Sequence, residues 1–127
     1  MLRLAAVTFL VRDYDEAIAW FTDALAFRRL EDTDLGGGKR WVKVAPEGGG
    51  AALLLAKAAD DQAASVGRQA GGRVAWFLEA ADFDAAYARM RAAGVAFAQA
   101  PRAEAYGKVA VFEDLYGGRW DLLEARA

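Results

Sequence analysis

The chain contains no histidine and no cysteine, and these two absences decide most of the chemistry open to its side chains. Without thiols there are no disulfides, no cysteine nucleophiles and no sulfur-ligated metals. Without imidazole, a Ser-His-Asp arrangement, a zinc site built on a His cluster and a 2-His-1-carboxylate iron site are all excluded. Carboxylates remain as proton carriers or as ligands for a hard cation. The run Gly36-Gly37-Gly38-Lys39 has the composition of a phosphate loop, but it lacks the P-loop spacing and the Ser or Thr opening a helix, so it reads as a hairpin turn.

The most distinctive carboxylate pattern occurs twice. "RDYDEAIAWF" at 12–21 and "ADFDAAYARM" at 81–90 both carry Asp-aromatic-Asp, as Asp13-Tyr14-Asp15 and Asp82-Phe83-Asp84, 69 positions apart. Asp13 and Asp82 stand where a helix N-cap belongs, with Glu16 placed to complete a capping box in the first copy. Behind each cap, apolar residues recur at helical spacing: Ala17, Ile18, Phe21 and Leu25, then Phe83, Ala86, Tyr87 and Met90. These stripes are core positions.

The same offset of 69 relates Gly38-Lys39 to Gly107-Lys108, Val42 to Val111, Gly48-Gly49 to Gly117-Gly118 and Leu53-Leu54 to Leu122-Leu123, which marks an internal duplication. Each copy opens with a β-rich stretch, 4–11 or 73–80, then a helix, then three extended segments: 27–33, 39–46 and 50–57, or 95–99, 107–114 and 119–125. "APEGGG" (45–50) and "DLYGGR" (114–119) read as hairpin connections. The weakly periodic stretch 58–71 reads as a linker between the modules 1–57 and 72–127.

The composition is globular, 56% hydrophobic and 27% charged over 127 residues, and fits a single domain. The net charge of -2 offers no reason to expect nucleic acid or an anionic membrane as a partner. No apolar run approaches the roughly 20 residues of a membrane span, and the N-terminus lacks a long apolar signal region, so the expected location is cytoplasmic.

With its first helix "VRDYDEAIAWFTDAL" (11–25) and its ending "FEDLYGGRWDLLE" (112–124), the duplicated chain resembles the vicinal oxygen chelate superfamily of glyoxalases, bleomycin resistance proteins and extradiol dioxygenases. The resemblance implies an α+β fold in which two tandem βαβββ modules form a curved, cup-shaped mixed sheet with helices outside. It also implies a homodimer. The family's metal-dependent members place a His near the start of each first strand and a carboxylate in each last strand. Those places match Ala6, Ala75, Ala52 and Asp121 here. Three alanines cannot coordinate a cation, so neither the family's metal nor any other cofactor is expected. A substitute site from Glu79 or Glu113 with Asp121 is the alternative.

Side chains alternate along strands, so parity with those four positions assigns the cup face. It predicts Thr8, Leu10, Leu54, Phe77, Glu79, Asp121 and Leu123 on that face, with Trp41, Lys43, Ala110 and Phe112 from the third strands. The expected ligand contacts are Thr8, Leu10, Trp41, Lys43, Leu54, Phe77, Tyr106, Phe112 and Asp121, a set suited to an aromatic or apolar small molecule. Other readings stay open: Trp41 and Phe112 as core or interface residues, Asp121 as an ordinary partner of Arg119 or Arg73, and Glu79 as a solvated strand end. The resulting expectation is a metal-independent small-molecule binder. The alternatives are a lyase, isomerase or dioxygenase using Asp121 and Glu79 as catalytic groups, and a dimeric interaction module.

Overall fold

The structure, a computed structural model, describes residues 1–126. Two compact units divide the chain, Met1–Val66 and a second beginning at Gly67. The first contains strand β1 (Ala6–Val11), helix α1 (Tyr14–Leu25) and strands β2 (Arg28–Gly36), β3 (Lys39–Ala45) and β4 (Ala52–Lys57). Its sheet runs β1-β4-β3-β2, with β1 and β4 parallel and the other pairs antiparallel. The second contains β5 (Val74–Ala80), α2 (Phe83–Ala92), β6 (Ala96–Phe97), β7 (Arg102–Glu104), β8 (Gly107–Glu113) and β9 (Arg119–Glu124). Its sheet runs β5-β9-β8-β6, with β7 also paired to β8.

The βαβββ grammar and the α+β class are therefore present, with two corrections. The stretch expected as plain linker folds a 3-10 helix at Asp60–Ser65. The single strand expected at 95–99 is two short pieces, β6 and β7, both on β8. Pro101 lies between them; it has no N–H to give to a ladder.

The repeated Asp-aromatic-Asp triplet has three separate tasks. The first Asp caps the helix: Asp13 Oδ2 accepts from Glu16 N at 2.9 Å, and Asp82 Oδ1 from Ala85 N at 3.1 Å. The aromatic that follows, Tyr14 or Phe83, is buried. The second Asp reaches the strand after the hairpin, where Arg40 Nη1 donates to Asp15 at 2.9 Å and Lys108 Nζ to Asp84 at 2.9 and 3.0 Å. Glu16 receives Arg12 at 3.1 and 3.0 Å, an exposed pair of small energetic weight. Arg40 is further held by a bidentate contact to Asp32 at 3.1 and 2.7 Å and lies over the Tyr14 ring. That guanidinium keeps the Asp32 carboxyl below the usual carboxylate range.

Each helix covers one face of its own sheet. In the first unit Phe9, Val11, Val42, Val44 and Leu55 are buried, with Phe9 edge-on to Phe21 of α1 at 5.0 Å. In the second, Trp76, Trp120, Phe112, Phe97 and Tyr87 of α2 form a chain of ring contacts 4.6 to 5.7 Å apart. Gly36, Gly37 and Gly38 all have positive φ, so the glycine run is a β2–β3 turn that needs their conformational freedom.

Candidate functional site

Strand register decides which side chains share the face turned away from each helix. In the first unit Ala6 lies beside Ala52, Thr8 beside Leu54 and Leu10 beside Ala56, while Lys43 is opposite Leu54. Trp41 is opposite Thr33 and Lys43 opposite Glu31. This face therefore gathers Thr8, Leu10, Trp41, Lys43 and Leu54, as parity predicts. Trp41 is 41% exposed, and Leu10, Lys43 and Leu54 are half-buried. Two neighbours were not anticipated, Glu31 and Thr33. Both lie on β2, an edge strand polar on both faces, whose alternation gives no inside-outside signal. Glu31 Oε2 accepts from the Thr33 hydroxyl at 3.3 Å.

In the second unit Asp121 lies between Phe77 on β5 and Val111 on β8, and Leu123 between Glu79 and Val109. Arg102 on β7 is opposite Val109 and so shares the face. Phe77 is 60% exposed, Glu79 is exposed and Asp121 is half-buried. Burial pushes the Asp121 carboxyl up, with the Arg102 charge opposing. Arg102 itself is held by Glu104 at 2.7 Å and further by Tyr106. Among the described residues Asp121 forms no ion pair with Arg119 or Arg73; Arg102 is the charge it feels. Tyr106 sits in the β7–β8 turn, 49% exposed.

The structure overturns two placements. Phe112 and Ala110 face α2, not the open side: Phe112 is 0% exposed and stacks on Trp120 at 5.7 Å, while Val109 and Val111 turn to the open face. The cause is the turn. Eight residues separate Val44 from its partner Leu53, but only five separate Glu113 from Arg119. An odd change in turn length reverses the parity of β8 relative to β9. In addition, β5 pairs with β9 in a register two residues removed from that of β1 with β4 at the repeat offset, so Phe77, not Ala75, lies beside Asp121, and Ala75 itself falls at a register shift between Val74 and Trp76.

The residue that fixes the tight turn, Asp114, was missed by the sequence reading. It is 6% exposed and accepts from Tyr116 N at 2.9 Å, Gly118 N at 3.0 Å and Trp120 Nε1 at 2.9 Å. Burial pushes its carboxyl up, against the pull of these donors. Gly118 must lack a side chain, since a Cβ there would lie 2.6 Å from Asp114 Oδ2. "DLYGG" offered the signal: an Asx turn ahead of two glycines.

A raised carboxyl pKa has a definite sign. The folded state holds the Asp121 proton more tightly than the unfolded state, so this residue's contribution to stability declines as pH rises from the ordinary carboxyl value through the folded one. Asp121→Asn is therefore expected to raise the melting temperature at pH 7. The gain should shrink as pH falls through the raised folded value toward the ordinary value of 3.8, and vanish below it. Thermal melts of both proteins across that range check this; a variant that melts lower at pH 7 contradicts it.

Among the described residues, no group of three or more carboxylates is placed to hold a metal ion. No helix among them is long and apolar enough to cross a membrane.

Two helix-backed sheets from a duplicated unit, each with an open face carrying an exposed aromatic ring, are the features to set beside known proteins. The chain belongs to the Glyoxalase/Bleomycin resistance protein/Dioxygenase superfamily, whose profile matches residues 3–122. An uncharacterized protein of Shewanella frigidimarina is 48% identical over 121 residues, 93% of this chain and 90% of the relative. The crystal structure of UcmS2 superposes with a TM-score of 0.83 at 31% identity, covering 98% of this chain and 99% of that one. That of TnmS3, an antibiotic binding protein from Streptomyces sp. CB03234, gives 0.77 at 25% identity, covering 99% and 98%.

Proposed function

We propose that this protein binds an aromatic or largely apolar small molecule without using a metal, on the sheet face that carries Trp41. The observation that carries the reading is the exposed indole of Trp41 among Leu10, Leu54, Thr8 and Lys43 on a face that α1 does not cover. Exposed aromatic surface gains when a planar apolar partner removes it from water, and the few polar groups around it are enough to orient such a partner. The second unit offers a face of the same character, with Phe77 beside Asp121 and with Tyr106 near Arg102. Phe112 has no part in it. The neighbour described as an antibiotic binding protein supports a small-molecule binding role. The alanines at 6, 52 and 75 support the metal-free part.

The test is calorimetry with a panel of polycyclic aromatic compounds, together with metal analysis of protein purified without chelator. At least one compound is expected to bind, and Trp41→Ala to weaken it at least about tenfold, as removal of a stacked aromatic anchor does. Stoichiometric bound metal, or a panel that leaves both heat and melting temperature unchanged, contradicts the proposal. A second reading, metal-free proton transfer by Asp121, rests on its half-buried carboxyl with a raised pKa. Turnover of a bound compound that disappears in Asp121→Asn favours that reading.

A further inference from the structure

The cations of the first unit are not equivalent. Arg40 is committed to Asp32 and Asp15, Arg12 to Glu16, and Arg29 lies 3.7 Å from Asp32. Lys43 differs in place: Arg3, Arg28, Lys39 and Lys57 are exposed. It is half-buried on the open face, two residues along β3 from Trp41 and opposite Leu54. Among the described residues it forms no ion pair. The carboxylate nearest in register, Glu31, is turned to the Thr33 hydroxyl. A half-buried lysine beside apolar side chains, with no carboxylate bonded to its ammonium, gains from an anionic partner brought by something else.

We infer that the ligand proposed above is a planar aromatic molecule bearing an acidic oxygen, a carboxylate or phenolate, with its rings on Trp41 and that oxygen on Lys43 Nζ. The inference rests on the binding reading and adds the charge of the ligand. Two residues along one strand face place the ring platform and the cation roughly 7 Å apart at the backbone. A fused two-ring aromatic acid spans that distance. Glu31 limits the preference: its carboxylate lies opposite Lys43 on the same face and repels an anionic ligand.

The experiment compares three naphthalene probes of one shape by calorimetry on the full chain: 2-naphthoate, 2-naphthylmethanol and 2-naphthylmethylammonium. The expected result is 2-naphthoate binding about tenfold tighter than the alcohol, the scale of one charge-assisted hydrogen bond, with the ammonium weakest. Lys43→Gln should abolish the preference, bringing 2-naphthoate to the affinity that the same variant shows for the alcohol, while Glu31→Gln should enlarge it. Added salt should reduce the preference as well. Equal affinity for acid and alcohol, tighter binding of the ammonium, or a preference that survives Lys43→Gln overturns the inference and leaves the binding reading standing. If no probe binds, both fall. Circular dichroism of the variants confirms that each comparison is made on folded protein.

Discussion

Asp114→Ala is expected to cost at least about 3 kcal/mol of folding stability, the largest effect of any single polar substitution in the chain. Three donors converge on this carboxylate, and two of them, Gly118 N and Trp120 Nε1, make buried hydrogen bonds. Removing the acceptor leaves those donors without a partner, at about 1–3 kcal/mol for each buried group. A domain of this size has only about 5–15 kcal/mol in total. Asn is the informative control: its amide oxygen still accepts, but its NH2 opposes a donor, so Asp114→Asn should lie between wild type and Ala. Urea unfolding followed by tryptophan fluorescence measures this. A loss below about 1 kcal/mol for Asp114→Ala would show that the turn holds without its carboxylate.

The second large effect separates two phenylalanines. Phe112→Ala should destabilise by about 3–5 kcal/mol, as expected for a fully buried ring, because it removes the ring that packs against both Trp120 and Phe97. Phe77→Ala should change stability by no more than about 0.5 kcal/mol, since the ring is mostly exposed. If β8 had the parity that the repeat suggests, Phe112 would lie on the open face and its removal would be mild. Equal unfolding midpoints for Phe112→Ala and wild type would restore that parity and contradict the register described above.

This contrast also shows what the sequence makes legible. The helix starts could be read because capping is local: Asp13 and Asp82 act on amides three residues away, and no tertiary information is needed. The first open face could be read as well. Simple alternation along β1, β3 and β4 places Thr8, Leu10, Trp41, Lys43 and Leu54 together, and no bulge disturbs those pairings.

The second unit failed the same method for two physical reasons. Alternation is read within one strand, but which face it denotes depends on the turn that joins it to the next. The Asp114 turn is shorter than its counterpart by an odd number, so Val42 and Val111, identical residues at the repeat offset, point to opposite faces. The pairing of β5 with β9 is likewise offset by two residues from that of β1 with β4, so Phe77 lies beside Asp121 where the repeat would put Ala75. The polar neighbours Glu31 and Arg102 were invisible for another reason: each joins its face only through pairing with a distant strand.

The proposal that Trp41 is a ligand platform meets its most direct test in fluorescence quenching, with wild type and Trp41→Ala titrated side by side using 2-naphthoate. Saturable quenching is expected in wild type, lost or shifted at least about tenfold in the variant, while Trp20, Trp76 and Trp120 continue to report an intact fold. Quenching with unchanged midpoint and amplitude in Trp41→Ala would show that the ligand binds elsewhere and would contradict the proposal.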